Sequence, residues 1–118
     1  MGGGSCDRVD QGRTLVTRGE MWWVERPEHG RRPHLVLTRE TAVPLLSSFI
    51  AVPATRTIRN LPTEVRLTRD EGMPDDCVLS LDNVTLVPKE FFVERITRLR
   101  VERMRQVCEA LAIATGCG

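Results

Sequence analysis

The 118-residue chain has no long apolar run. A membrane-spanning helix needs about 20 consecutive apolar residues, and charged residues, which make up 28% of the chain, interrupt its apolar stretches well before that length. The first 17 residues are rich in glycine and polar side chains and lack the apolar segment of a secretory signal. The sequence therefore predicts a cytoplasmic protein without a membrane segment. We expect residues 1–17 to be a disordered leader and residues 18–118 to form one folded domain.

Cysteine is also scarce. There are four, and no two of them have the C-x-x-C spacing of zinc sites or a histidine at ligand distance along the chain. Cys77 and Cys108 fall on apolar faces and are predicted to be small core residues of a reduced protein. A glycine-rich phosphate loop is absent as well. We therefore expect no metal site and no cofactor.

Lysine is nearly absent, because arginine supplies 16 of the 17 basic residues. The net charge is only +1, but the charges are segregated. Residues 29–60 contain five arginines and one acid, for a net charge of +4, whereas residues 61–95 contain four bases and eight acids, for a net charge of −4. Segregation of this kind can create a local electropositive site. A solvated, arginine-rich face would give the same pattern, so the charges alone leave both interpretations open.

What the chain does contain is a series of short β-rich segments. Their patterns predict strands within 18–25, 34–39, 49–55, 63–68 and 77–87, the last being one long strand or two. The segment 26–33 is predicted to be a loop. A final helix, closed by Gly116, is predicted from apolar residues at helical spacing: Val101, Met104, Cys108 and Leu111, with Val107 and Ala114 widening the apolar stripe. We expect a mainly β domain with a C-terminal helix, built as a curved antiparallel sheet or partly open barrel.

Three groups of polar residues stand where strands begin, end or turn. Arg32 precedes Pro33, Thr55 ends an apolar strand, and Ser80 and Asp82 are predicted to face outward. An arginine fork donates two parallel hydrogen bonds to phosphate oxygens and stays charged at physiological pH. RNA supplies its own nucleophile, the 2′-hydroxyl, so its cleavage requires mainly positioning and charge stabilisation. Arg32 could equally extend over the sheet rim, and Thr55 could be an ordinary strand residue.

Six segments of the sequence, in their order along the chain, are similar to those of one known family. They are RGEMWWVE, RRPHLVLTRE, FIAVPATRTIRNLPTEVRL, DCVLSLDNVTLVPKE, RITRL and EALAIATG. Together they cover the chain from about residue 18 to 116 and resemble the MazF/PemK-like toxins of bacterial type II toxin–antitoxin systems. The resemblance implies a small SH3-like barrel of the CcdB/MazF type. It also implies a metal-independent endoribonuclease that cleaves single-stranded RNA to a 2′,3′-cyclic phosphate and a 5′-hydroxyl, arresting growth.

The resemblance also implies roles for individual residues. The family's catalytic arginine and threonine correspond to Arg32 and Thr55. Glu28 and His34 are candidates to accept the 2′-proton or to shape the site, with His29 and Asp82 as further candidates for the base. We expect RNA contacts from the loops and strand edges around the site, at Arg31, Arg56, Arg59, Ser80, Asp82 and Asn83. Asp82–Asn83 departs from the family's usual residues, which bears on sequence preference.

The implied partners are single-stranded RNA, a second copy of the chain in a homodimer, and a MazE-like antitoxin. The antitoxin is expected to be acidic and partly disordered, and to cover the basic groove. Two alternatives stay open: a non-catalytic toxin that binds DNA gyrase as CcdB does, and an inactive relative that binds only RNA or antitoxin. The pair formed by Arg32 and Thr55 favours the endoribonuclease, because a gyrase binder needs neither residue.

Overall fold

Residues 15–117 are described by the computed structural model of the protein. They form seven strands followed by one helix, α1 (Val101–Thr115). The strands are β1 (Glu20–Arg26), β2 (Gly30–Val36), β3 (Ser48–Thr55), β4 (Glu64–Leu67), β5 (Cys77–Ser80), β6 (Thr85–Pro88) and β7 (Phe92–Arg98). The predicted mainly β fold with a C-terminal helix is confirmed. Residues 1–14 of the predicted leader lie outside the described range, and Val16 is already buried in the core, so the folded unit begins before Arg18.

All seven strands pair antiparallel in one curved sheet. Six of them follow the order β4-β5-β3-β2-β1-β7, and β6 pairs with β3 outside this order. Strand β3 has three partners in this sheet. One edge of β3 pairs with β2, and the other edge is shared by β6 and β5. The first half of β3 pairs with β6, and its last two residues, Ala54 and Thr55, pair with β5. The end of β3 is therefore where neighbouring strands separate, and an opening in the sheet surface is expected there.

The sheet buries a core on each face. One core packs against α1 and includes Met21, Leu35, Val52, Leu79 and Val107. The other contains Trp22, Val24, Val36, Phe49, Val87 and Phe92. Because neighbouring residues of a strand point to opposite faces, Trp22 belongs to the second core, whereas Trp23 lies on the face of the first. The helix thus covers one face and leaves the other available for a site.

A buried carboxylate fixes the beginning of β1. Glu20 accepts hydrogen bonds from the indole N–H of Trp22 (2.9 Å), the backbone N–H of Thr17 (2.9 Å) and Nε of Arg95 (2.7 Å). Burial by itself would raise the pKa of Glu20, but these hydrogen bonds outweigh it and hold the pKa below the ordinary 4.5. The ionised form is therefore the one that stabilises the fold, and this contribution is lost as the pH falls below about 4.5.

Two features of the strands differ from the prediction. Strand β2 covers residues 30–36 rather than 34–39, so Arg31 and Arg32 lie within a strand and not in a loop. Strand β7 was not predicted. The segment 77–87 is two strands separated by a 3₁₀ turn at Leu81–Asn83, which was one of the two predicted options.

The buried side of the helix matches the predicted stripe in part. The residues of the stripe that belong to the first core or pack against it are Met104, Val107, Leu111 and Ala114. Ala110 is also buried, whereas Val101 and Cys108 are exposed. The predicted core role of Cys108 is therefore wrong, and Cys77 is only half-buried. Burial, together with nearby carboxylates such as Glu71, raises the pKa of the Cys77 thiol to about 11, so the thiol is protonated at neutral pH. Gly116 closes the helix in the left-handed conformation, as predicted.

Candidate functional site

A cleft of about 320 Å³ lies on the sheet face opposite the helix. It is formed by side chains of β1, β2, β3 and β6, together with the turn between β1 and β2. Its lining residues are Val24, Arg26, His29, Gly30, Arg32, His34, Pro53 and Thr85. This lining contains two arginines and two histidines but no acidic residue. The cleft is therefore suited to an anion.

Arg32 reaches the cleft because of its position in β2. It pairs with Val24 of β1, and residues of β2 alternate between the two faces, so Arg32 and His34 share the cleft face. Arg32 is exposed and carries no ion pair within residues 15–117. Because the Arg32 guanidinium is exposed, it avoids the desolvation cost of burying a charge, and its N–H donors stay available to a ligand.

His34 is nearly buried in the wall of the cleft, and one of its ring nitrogens has a defined partner. Nδ1 lies 3.1 Å from the backbone carbonyl oxygen of Arg32. A carbonyl oxygen can only accept, so this contact puts the proton of the neutral ring on Nδ1 and leaves a lone pair on Nε2. Burial lowers the pKa of His34 below 6.5; the Arg32 carbonyl opposes this, and the charges of Arg26 and Arg32 add to it. His34 is therefore neutral at pH 7.

Thr55 lies beside the cleft, at the end of β3. The pairing of β2 with β3 ends at His34 opposite Pro53, and two further steps along the same register would set Arg32 opposite Thr55. Both residues are on the cleft face, although Thr55 is not among the lining residues. Its Oγ1 accepts the backbone N–H of Thr57 at 3.2 Å. The hydroxyl hydrogen is therefore available to donate to another group.

The three predicted RNA-binding arginines lie outside the cleft lining. Arg31 projects to the opposite face of β2, where it packs over the ring of Trp23 at 4.9 Å and pairs with Glu94. Arg56 follows Thr55 and forms an exposed ion pair with Asp75 (2.7 Å). Such exposed pairs contribute at most about 1 kcal/mol, so another anion can readily replace the carboxylate. Arg59 is exposed in the loop after β3.

The predicted outward-facing residues of the later strand are not at the cleft. Ser80 is buried, with 3% of its surface exposed, so the prediction that it faces outward is wrong. Asp82 and Asn83 are exposed in the 3₁₀ turn that packs against α1, and Asp82 accepts the hydroxyl of Thr63 at 2.6 Å. That turn belongs to the helix side of the sheet.

Of the two candidate residues in the turn between β1 and β2, only one lines the cleft. His29 lines the cleft, whereas Glu28 is exposed and does not. Within residues 15–117, no group of three or more His, Cys, Asp or Glu side chains could hold a metal ion. A metal-free reaction stays a prediction.

Comparison with known proteins identifies the family. Residues 17–115 match the PemK-like, MazF-like toxins of type II toxin–antitoxin systems. The chain belongs to this family. The predicted resemblance to MazF/PemK-like toxins is thereby confirmed.

Individual members of the family are similar over nearly the whole described chain. The probable endoribonuclease MazF2 of Mycobacterium tuberculosis is 42% identical over 103 residues, which is 86% of this chain and 100% of MazF2. Among solved structures, the M. tuberculosis toxin MazF-mt6 superposes with a TM-score of 0.77 at 28% identity, covering 84% of this chain and 98% of that toxin. A mycobacterial endoribonuclease bound to its cognate antitoxin has a TM-score of 0.80 at 21% identity, covering 88% and 98%. The last comparison bears on the fold alone.

Two residues of the cleft in this family member were missed by the sequence analysis. Arg26 was assigned to a loop, but it ends β1 and lines the cleft. Thr85 begins β6 opposite Ala51 and brings a hydroxyl to the same cleft. The signal that could have found Arg26 is its distance of two residues from Val24, which keeps both on one face of a strand.

Proposed function

We propose that this protein is the toxin of a type II toxin–antitoxin system and acts as a metal-independent endoribonuclease in the cytoplasm. The observation that carries the proposal is the 42% identity to a probable endoribonuclease over that protein's whole length. The acid-free cleft with two arginines supports it, because a nucleic-acid backbone is a polyanion. On the described residues, no helix is long and apolar enough to cross a membrane.

In the proposed reaction the 2′-oxygen of RNA attacks the adjacent phosphorus. A P–O2′ bond forms, the P–O5′ bond breaks, and the products are a 2′,3′-cyclic phosphate and a 5′-hydroxyl. Arg32 stabilises the negative charge that grows on the phosphate oxygens and on the leaving 5′-oxygen. It does so without losing a proton, because a guanidinium stays protonated in proteins.

His34 is the proposed base. Its Nδ1 is occupied by the Arg32 carbonyl, and its ring lines the cleft, so Nε2 is the nitrogen able to take the proton of the 2′-hydroxyl. The leaving 5′-oxygen takes a proton from water at the open mouth of the cleft, and His34 then returns its proton to solvent. Nδ1 of His34 holds the backbone of Arg32, so base and charge stabiliser are fixed relative to each other.

The experiment that tests this function is the incubation of purified protein with total RNA in excess EDTA. We expect cleavage to continue and the new ends to carry 5′-hydroxyls, because the attacking group and the charge-stabilising groups belong to RNA and to the protein. Sequencing after 5′-hydroxyl-specific ligation measures both the ends and the preferred sequence. Loss of cleavage in EDTA contradicts the metal-free mechanism, and growth arrest without any cleavage favours a gyrase-binding toxin.

Thr55 is proposed to donate its free hydroxyl hydrogen to a phosphate oxygen. Thr55→Val keeps the shape of the side chain but removes the donor, so we expect cleavage to slow by about 10- to 100-fold. The rate of cleavage of an oligonucleotide containing the mapped site measures the effect. Thr55→Ser keeps the hydroxyl and is the matched control, which we expect to retain most of the activity. Equal losses in the two variants would assign Thr55 a packing role instead.

The proposal includes a homodimer and an antitoxin that neutralises it. A structurally similar mycobacterial endoribonuclease forms a complex with its cognate antitoxin, and the fold of this chain is the same. Strand β3 and strand β6 leave Ile50 and Leu86 exposed as a cross-strand pair. The antitoxin is expected to carry acidic groups that compete with RNA for the cleft arginines.

A further inference from the structure

Arg26 is the second guanidinium of the cleft and has no role in the reaction described above. It ends β1 opposite Gly30, and Arg32 lies two residues beyond Gly30 on the neighbouring strand. Residues in this diagonal relation are about 7–8 Å apart. Gly30 has no side chain, and nothing lies within 4 Å of the position that a Cβ would take there. The space between the two arginines is therefore open.

The contacts of Arg26 leave most of its donors available. Its guanidinium packs over the ring of Phe91 at 5.6 Å, and Nη2 donates a long hydrogen bond of 3.4 Å to the carbonyl oxygen of Leu86. A guanidinium has five N–H donors. None of the ion pairs formed within residues 15–117 involves Arg26. Arg26 is thus placed by an aromatic ring and one carbonyl, with its charge unneutralised by any described side chain.

The positive charges of both cleft arginines affect the imidazole of His34. The charges of Arg26 and Arg32 each contribute to lowering the pKa of His34, after the larger effect of burial. Both guanidinium groups therefore act on the same small volume, on either side of one open space. A phosphodiester carries a single negative charge, which Arg32 alone is able to balance, and RNA presents its next charge one nucleotide along the strand.

We propose that Arg26 binds a phosphate adjacent to the scissile phosphate. This inference rests on the proposed endoribonuclease function and adds a second backbone-binding position to it. Arg26 then fixes the direction and register of the strand across the cleft, while Arg32 stabilises charge at the bond that breaks. Phosphate contacts of this kind position a nucleic acid and carry no sequence information directly.

The test measures the binding of an oligonucleotide that contains the mapped cleavage site with 2′-deoxyribose at the cut nucleotide, so that it cannot react. We expect Arg26→Ala to weaken binding about tenfold. The slope of log K against log salt concentration should fall in magnitude by about 0.7, the value for one phosphate contact on a single strand. Fluorescence anisotropy over a range of salt concentrations gives both quantities.

Neutral methylphosphonate linkages identify the phosphate. The linkages on the 5′ and 3′ sides of the scissile phosphate are neutralised one at a time, and wild type is compared with Arg26→Ala on each. We expect the tenfold difference to disappear for one of the two linkages. Two results would overturn the proposal. One is a tenfold difference that persists in both experiments, whichever of the two linkages is neutralised, and the other is no difference on the unmodified strand.

Arg105→Ala is the matched control, because it removes the same charge from an exposed position on the helix, on the other side of the sheet. It should leave both the affinity and the salt slope unchanged. The two proposals fail separately. If wild-type protein cuts no RNA, the enzymatic function is wrong, whereas equal binding by wild type and Arg26→Ala removes only the role of Arg26.

Discussion

Arg32→Ala is expected to lower the rate of RNA cleavage by about 10²- to 10³-fold, the typical effect of removing one donor to developing oxyanion charge. Arg32 lies in the acid-free cleft, on the face it shares with His34. The loss should appear mainly in kcat, because the negative charge that Arg32 balances grows in the transition state. Single-turnover cleavage of an oligonucleotide with the mapped site measures the effect, and circular dichroism checks that the variant is folded.

Two variants give this prediction its controls. Arg32→Lys keeps the charge but loses the planar fork, so we expect an activity between those of wild type and Arg32→Ala. Arg31→Ala removes the same charge one residue away, on the opposite face, where Arg31 is held by Trp23 and Glu94. It should retain nearly all of kcat. An equal loss in Arg31→Ala and Arg32→Ala would show that net charge matters and that the cleft position does not.

The residue types of the candidate site could be predicted from the sequence, but the secondary structure that holds them could not. Pro33 suggested that a loop preceded the strand, since proline lacks the N–H that a central strand needs. In the fold, β2 pairs with β1 from residue 30 onward, whereas its pairing with β3 begins only at His34. Pro33 therefore lies where β2 has one partner, and the missing donor is tolerated. Sequence alone does not show where two neighbouring strands separate.

Two other differences have physical causes in the sheet. The register of β1 with β7 shifts twice, between Met21 and Trp22 and between Trp23 and Val24. Such irregularities disturb the alternation by which a strand is recognised, and β7 was missed for this reason. Ser80 was assigned to solvent because its strand was read as having one exposed face. Strand β5 lies between β4 and β3, however, and both of its faces are covered at Val78, Leu79 and Ser80.

The spacing of apolar residues was not sufficient to predict which side of the helix is buried. Val101, Val107, Leu111 and Ile113 are apolar residues distributed around the helix, so more than one stripe fits a helical period. Contact with the first core selects Val107 and Ala110, and leaves Val101 and Ile113 largely exposed. The strands β3, β4 and β5, by contrast, followed from clear patterns. The position of Thr55 at the end of β3 was predicted for the same reason.

His34→Asn is expected to slow cleavage by about 10²- to 10⁴-fold, the usual contribution of a positioned acid–base group. The amide nitrogen of asparagine takes the place of Nδ1 and preserves the hydrogen bond to the Arg32 carbonyl, but no group replaces the lone pair of Nε2. A purely structural histidine would tolerate this change, because its hydrogen bond to the Arg32 carbonyl is kept. The rate at pH 7 therefore separates the two roles.

The pH dependence gives a second and independent readout of His34. Burial and the charges of Arg26 and Arg32 hold the pKa of His34 below 6.5 against the opposing effect of the Arg32 carbonyl. Only the neutral ring accepts a proton, so the wild-type rate should rise with pH through a value below 6.5 and stay level above it up to neutral pH. His34→Asn should lose this rise, whereas His29→Asn, at the exposed side of the cleft, should keep it. If the rise disappears in His29→Asn and persists in His34→Asn, the base is the histidine of the turn and the tautomer fixed by the Arg32 carbonyl has no part in the chemistry.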